Sequence, residues 1–199
     1  AAVAWNGTLT VIDRDGRTRQ LADGVPYSKD MVTAFAFAPT GATLAEYRGA
    51  HGVTLHDLAA GTTRRLPGAA IIDESHARLR HSPSGTALAV LDGAVLQRWS
   101  RTGDDAPIRL DVPSSRDFAF LDDSTIAIAT HDGDLTLVDV ASGTRAPLRR
   151  CVIDHQSQLA RAGGGLVLLT SYGEALRFTD AVPPAGEQLR TWLRDQAAL

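Results

Sequence analysis

Hydrophobic and polar positions along this chain are grouped in short runs. TLAEYR, ALAVLDG, TIAIATH and LVLLTSY form one set, and VTLHDL, VLQRWS, DLTLVDV and ALRFTD a second. Each run is five to seven residues long, rich in β-branched and aliphatic side chains, and flanked by Gly, Asp or Asn. That combination predicts strands. Both faces of many runs are apolar, one often with Ala: Ile126 and Ile128 alternate with Ala127 and Ala129. A sheet with one face in water would carry polar residues there, so each sheet is expected to be stacked between two others.

The turns between the runs recur with a period of about forty residues. One set falls at Gly7, Gly52, Gly93, Gly133 and Gly173, at intervals of 45, 41, 40 and 40. A second follows at Gly16, Gly61, Gly103 and Gly143. A third precedes most copies: APTG at Gly41, SPSG at Gly85, LDDS at 121–124 and AGGG at 162–165. NG and DG favour hairpins because Gly accepts positive φ without steric cost. Four strands per forty residues, repeated and stacked face to face, describe the blades of a β-propeller.

The segments SPSGTALAVLDGAVLQRWS and DDSTIAIATHDGDLTLVDVASG resemble WD-repeat blades. Trp99 stands at the Trp position, followed by Ser100 rather than Asp. Ile12, His56, Val138 and Phe178 take that place in the other copies, while Asp13, Asp57 and Asp139 match the Asp that follows. The Gly-His pair that opens a strong WD repeat is missing throughout, so these repeats are degenerate. The likeness covers residues 1 to about 180. It implies an all-β propeller of four-stranded antiparallel blades, and by itself no function.

With strands lettered a to d from the axis outward, 1–24 read as a partial blade (b, c, d). Residues 33–68, 76–111 and 116–150 read as full blades, and 156–180 as a partial one (a, b, c). That is about 18 strands, or about 4.5 blades. Propellers that resemble this one often close by lending an N-terminal strand d to the last blade. A chain opening at strand b cannot do so, and two blade edges would stay unpaired. The expectation is the C-terminal portion of a longer protein with a seven-bladed ring. The remaining strands, about ten, would come from on the order of 100 upstream residues, in the same or a cleaved chain.

Residues 181–199 change character. Pro183 and Pro184 stop the last strand. Leu189, Trp192, Leu193 and Gln196 then recur at helical spacing, with Glu187 in the first turn and Arg194 nearer the end, as the helix dipole favours. A short amphipathic helix is predicted, with Trp192 packed on the propeller rim. It is similar to the helical tails that end WD-repeat segments of large bacterial signalling proteins.

Composition narrows the function classes. A net charge of −3 with 22% charged residues gives no field that points to nucleic acid or a membrane surface. No apolar run reaches the ~18 residues of a membrane span. One cysteine, Cys151, permits no internal disulfide, in keeping with a reducing, cytoplasmic setting. Lys29 is the sole lysine, and Arg and Ala dominate their classes, a composition typical of GC-rich bacterial genomes.

Candidate chemistry is thin. His76 and His81 are five apart and fall on opposite faces of a strand. Cys151 and His155 lack a visible oxyanion site or orienting group. DRDG at 13–16 lacks the further oxygen ligands of a calcium loop and reads as a β-turn. HSPSG is not a nucleophile elbow. No catalytic residue, metal ligand or cofactor site is assigned. What remains is the surface formed by d–a and b–c loops, where WD-like propellers usually receive partners: 22–31, 67–76, 111–117 and 150–156, with the short b–c turns. Interfaces favour Tyr and Arg. The candidate partner-binding residues are Tyr27, Arg48, Arg116, His131, His155 and Tyr172. The expected function is a non-catalytic interaction, scaffold or sensor module for a protein or peptide ligand, its effector domain upstream. In similar proteins that effector is a kinase, peptidase or nucleotidase type. The rival is a lactonase- or hydrolase-like propeller enzyme with a metal in its central channel. The a strands FAFAP, ARLRH and RDFAF are poor in ligands for one.

Overall fold

The computed structural model describes residues 2–5, 8–22, 32–48, 51–68, 77–100, 105–150, 157–162, 165–170, 175–178 and 187–197. They form five antiparallel sheets and one helix. Blade 1 holds β1 (Ala2–Trp5), β2 (Thr8–Ile12) and β3 (Thr18–Ala22). Blade 2 holds β4 (Val32–Phe37), β5 (Thr43–Arg48), β6 (Gly52–Asp57) and β7 (Thr63–Arg65). Blade 3 holds β8 (Arg78–His81), β9 (Ala87–Asp92), β10 (Val95–Ser100) and β11 (Ile108–Asp111). Blade 4 holds β12 (Ser115–Phe120), β13 (Thr125–Thr130), β14 (Asp134–Asp139) and β15 (Arg145–Arg150). Blade 5 holds β16 (Gln158–Ala162), β17 (Gly165–Leu169) and β18 (Ala175–Phe178), and α1 spans Glu187–Ala197.

Within every sheet the strands lie in sequence order, each paired with the next through a hairpin. Between sheets, β4 approaches β8, β8 approaches β12, and β12 approaches β16. The first strands of blades 2 to 5 therefore gather along one line, and the later strands fan outward. This is a partial β-propeller, with a–b and c–d turns at one end of the strands and b–c and d–a turns at the other.

The core sits between the blades. Ile126, Ile128, Phe118 and Phe120 pack against Ala87, Ala89 and Leu91 of blade 3. Ala127 and Ala129, on the other face of β13, pack with Leu159, Leu166 and Leu168 of blade 5. Blades 2 and 3 meet through Ala45, Tyr47 and Val53 against Leu79, Leu88, Val90 and Trp99. β13 thus offers large side chains to the blade before it and alanines to the blade after it, and β9 does the same except at Leu91. Small residues let the next sheet approach closely, and their alternation with large ones is the reason both faces are apolar. Trp99, 1% exposed, also donates its indole N–H to the Pro67 carbonyl at 2.9 Å, linking blade 3 to the end of blade 2.

The turn aspartates do similar work in three blades. Asp13 Oδ1 accepts the amides of Asp15 and Arg17, Asp57 Oδ1 those of Ala59 and Ala60, and Asp139 Oδ1 that of Ser142. Each caps a c–d turn that closes on a positive-φ glycine, Gly16, Gly61 or Gly143. DRDG is therefore a capped β-turn. The a–b turns of neighbouring blades also touch: a Cβ on Gly85 (φ +74°) would lie 3.2 Å from Pro39 Cδ.

α1 lies against β14 and β15. Leu193 is 1% exposed and Trp192 half-buried, both against the apolar cluster that blade 5 covers closer to the axis. The helix and its Trp192 contact are as the spacing predicts. The helix covers the outer part of the blade 4 face, beside the three strands of blade 5.

Candidate interaction surface

Three of the six predicted contact residues fall among the described residues. Tyr27, His155 and Tyr172 lie outside them.

Arg116 and His131 come together at the b–c and d–a end of blade 4. The d–a turn at 112–115 is tight: Ser114 sits at φ 56°, and Ser115 Oγ donates to the Val112 carbonyl at 2.6 Å. The His131 amide donates to the Ser114 carbonyl at 2.8 Å, which ties the b–c turn to the d–a turn. Arg116 Nη1 then stands 3.5 Å from His131 Nε2. Arg116 Nε is buried with no hydrogen-bond partner, and the His131 ring is exposed. A guanidinium and an imidazole on a rigid double turn can hold a carboxylate or a backbone carbonyl.

Arg48 is not part of that surface. It is the last residue of β5, 8% exposed, and its Nε lies 3.3 Å from Glu46 Oε1. Glu46 Oε2 lies 3.5 Å from His56 Nε2, and both residues are below 5% exposed. Strand alternation puts Leu44, Glu46 and Arg48 on the face that meets blade 1, so the expectation that Arg48 greets a partner is corrected. His56, in the Trp position, belongs to this buried group. A charged side chain two residues from a glutamate in a β run was the signal for it.

The axis carries a network that sequence reasoning missed. Asp117, 1% exposed, accepts from Arg80 Nη2 at 3.0 and 2.9 Å and from the Leu159 amide at 2.7 Å. Arg80 Nη1 also donates to the Leu159 carbonyl, and the guanidinium stands 5.7 Å from the Phe118 ring centroid. One ion pair therefore joins the first strands of blades 3, 4 and 5. Nη2 reaches both carboxylate oxygens while Nη1 takes the Leu159 carbonyl, so the guanidinium is held on two blades at once, and the Leu159 amide further satisfies the buried carboxylate. Among the described residues no group of three or more His, Cys, Asp or Glu gathers as a metal site would need.

At the a–b turn end, a cavity of ≈ 390 Å³ opens between blades 2 and 3, with Thr43, Thr62, Thr63, Arg64, His81 and Ser84 in its wall. A second, of ≈ 510 Å³, lies nearer the axis and shares Pro39 and His81 with the first. Burial lowers the His81 pKa to about 4, opposed by a hydrogen bond to the Ala36 backbone.

With this geometry in hand, comparison with solved structures decides the architecture. The chain is similar to the C-terminal WD40 domain of Sif2, with a TM-score of 0.60 at 16% identity over 89% of this chain and 53% of that one. The fold is that of a WD-repeat-like β-propeller. A computationally designed protein, Ika8, gives a TM-score of 0.58 at 14% identity, over 89% of this chain and 57% of that one. The chain spans a little over half the length of each. No protein-family model and no curated protein sequence matches it. Likeness at these identities speaks for the WD-repeat-like fold alone. No helix is long and apolar enough to cross a membrane among the described residues.

Proposed function

We propose that this chain is a non-catalytic protein-interaction module, the C-terminal portion of a longer bacterial, cytoplasmic WD-repeat-like protein that serves as scaffold or sensor for an upstream effector. The observation that carries the reading is the Arg116–His131 pair, held by the His131–Ser114 backbone bond where d–a and b–c turns meet. Function placed on turns that a rigid blade fixes is the usual way such a scaffold binds. Tyr27, His155 and Tyr172 belong to the same proposed surface. The axial strands favour this reading over the metal-dependent enzyme. Among the described residues of β4, β8, β12 and β16 the one carboxylate is Asp117, and Arg80 and Leu159 engage it.

Ring completion by further strands of the same protein is part of the proposal. The outer face of blade 5 presents Ala160, Val167, Leu169 and Ala175, with Leu169 44% exposed, in the register positions that other blades use to meet a neighbour. Gln158 and Arg177 share that face, and its apolar part is of the kind another blade covers.

The test is affinity capture from the source organism, comparing the wild-type chain with Arg116→Glu and the double variant Arg116→Ala/His131→Ala. A partner retained by the wild type is expected to bind about tenfold more weakly to either variant, the effect of losing one interface anchor. The melting temperature should not change. Equal retention would count against the surface.

A further inference from the structure

The a–b turn end of the propeller, opposite the surface just described, carries a groove whose chemistry the interaction reading does not use. The axial cavity is lined by Phe37, Pro39, Arg80, His81, Ser82, Pro83, Ala119, Phe120 and Arg161. These come from blades 2, 3, 4 and 5. Two are arginines and none is acidic. Arg80 is already engaged by Asp117. Arg161 is exposed and makes no hydrogen bond or ion pair among the described residues. Among the described residues the cavity therefore has one guanidinium without a counter-ion, over apolar walls of Phe37, Phe120 and two prolines.

His81 stands where this cavity meets the one between blades 2 and 3. Its ring hydrogen-bonds the Ala36 backbone, while Nε2 is buried with no hydrogen-bond partner. A neutral imidazole that donates through one nitrogen is an acceptor at the other. That nitrogen has no surface open to the groove, so the ring serves there as wall. Beyond His81 the floor changes to the hydroxyls of Thr43, Thr62, Thr63 and Ser84, with Arg64 and Asp57, over Leu55, Leu66 and Leu88. The two cavities adjoin at Pro39 and His81 as one groove, with a cation at the axis and hydroxyls, Arg64 and Asp57 toward the rim.

We propose that this groove binds an extended peptide segment bearing carboxylates, with an acidic side chain on Arg161. Charge selects the acidic side chain, since among the described residues no carboxylate lines the axial cavity and Arg161 has no counter-ion. Length selects a peptide over a small anion, because two adjoining cavities of ≈ 390 and ≈ 510 Å³ exceed what one carboxylate fills. The apolar walls suit the remainder of an extended chain.

The experiment is fluorescence anisotropy on the full chain, its fold checked by circular dichroism. Two fluorescein-labelled octapeptide pools serve as probes, with three positions fixed as Glu in one and as Lys in the other. The Glu pool is expected to bind about tenfold more tightly, and rising salt should weaken it. Arg161→Glu should abolish the preference. Arg109→Glu, the same charge change on exposed β11, and Arg116→Glu, at the opposite end, should leave both pools unaffected. Equal binding of the pools, or an equal loss from Arg109→Glu, would overturn the proposal. So would loss from Arg116→Glu without loss from Arg161→Glu, which would place acidic peptides on the opposite surface and leave the interaction reading standing.

Discussion

At the scale of single residues, side chains at turns and strand ends decide what is presented and what is buried. His81 is a half-buried base whose folded pKa is depressed to about 4, chiefly by desolvation. The unfolded ring takes up its proton near pH 6.5, so between 6.5 and 4 the unfolded chain binds more protons. Stability contributed by the neutral ring is complete above pH 6.5 and falls as the pH drops toward 4, by on the order of 2 kcal/mol. Urea unfolding at pH 7 and pH 4.5 should show this loss in the wild type and a smaller one in His81→Phe. An equal loss in both would assign the acid sensitivity elsewhere. Asp13, Asp57 and Asp139 were legible as turn aspartates because Asx capping depends on local sequence. Arg48 was not legible as a buried residue, because an arginine before a turn reads as exposed unless the strand's alternation is carried to its last position. The Arg80–Asp117 pair joins residues 37 apart in sequence, and no local pattern announces it.

At the scale of elements, the alternation of large and small side chains settles how blades stack. Ala127 is fully buried between β13 and blade 5, among Leu159, Leu166 and Leu168. Ala127→Leu has no room and should cost about 1–3 kcal/mol in chemical denaturation, as overpacking does. A neutral result would show that blades 4 and 5 are loosely seated. This layer of the fold was readable in the sequence because periodicity of two and the recurring Gly turns are local properties. The helix was readable for the same reason, from Trp192 and Leu193 at helical spacing. Its seat on β14 and β15 was not, since an amphipathic stripe states that a face is buried and not which sheet buries it.

At the scale of the molecule, the chain is an arc of stacked sheets whose inner strands converge, with two unlike ends. One end offers Arg116 and His131 on tied turns, the other a groove from Arg161 to the hydroxyls near the rim. The blade 5 face with Val167 and Leu169 is the place where another blade would continue the stack. The repeat made the architecture legible, while the grooves and the axial ion pair arise only when blades from distant parts of the sequence meet. The most direct measurement is mass spectrometry of the protein from its source, first native and then denaturing. The account predicts a folded unit heavier than 21.1 kDa by on the order of 10 kDa or more, the mass of the strands that complete the ring. A folded monomer of 21.1 kDa, with the amides of β18 as protected from exchange as those of β17, would contradict it.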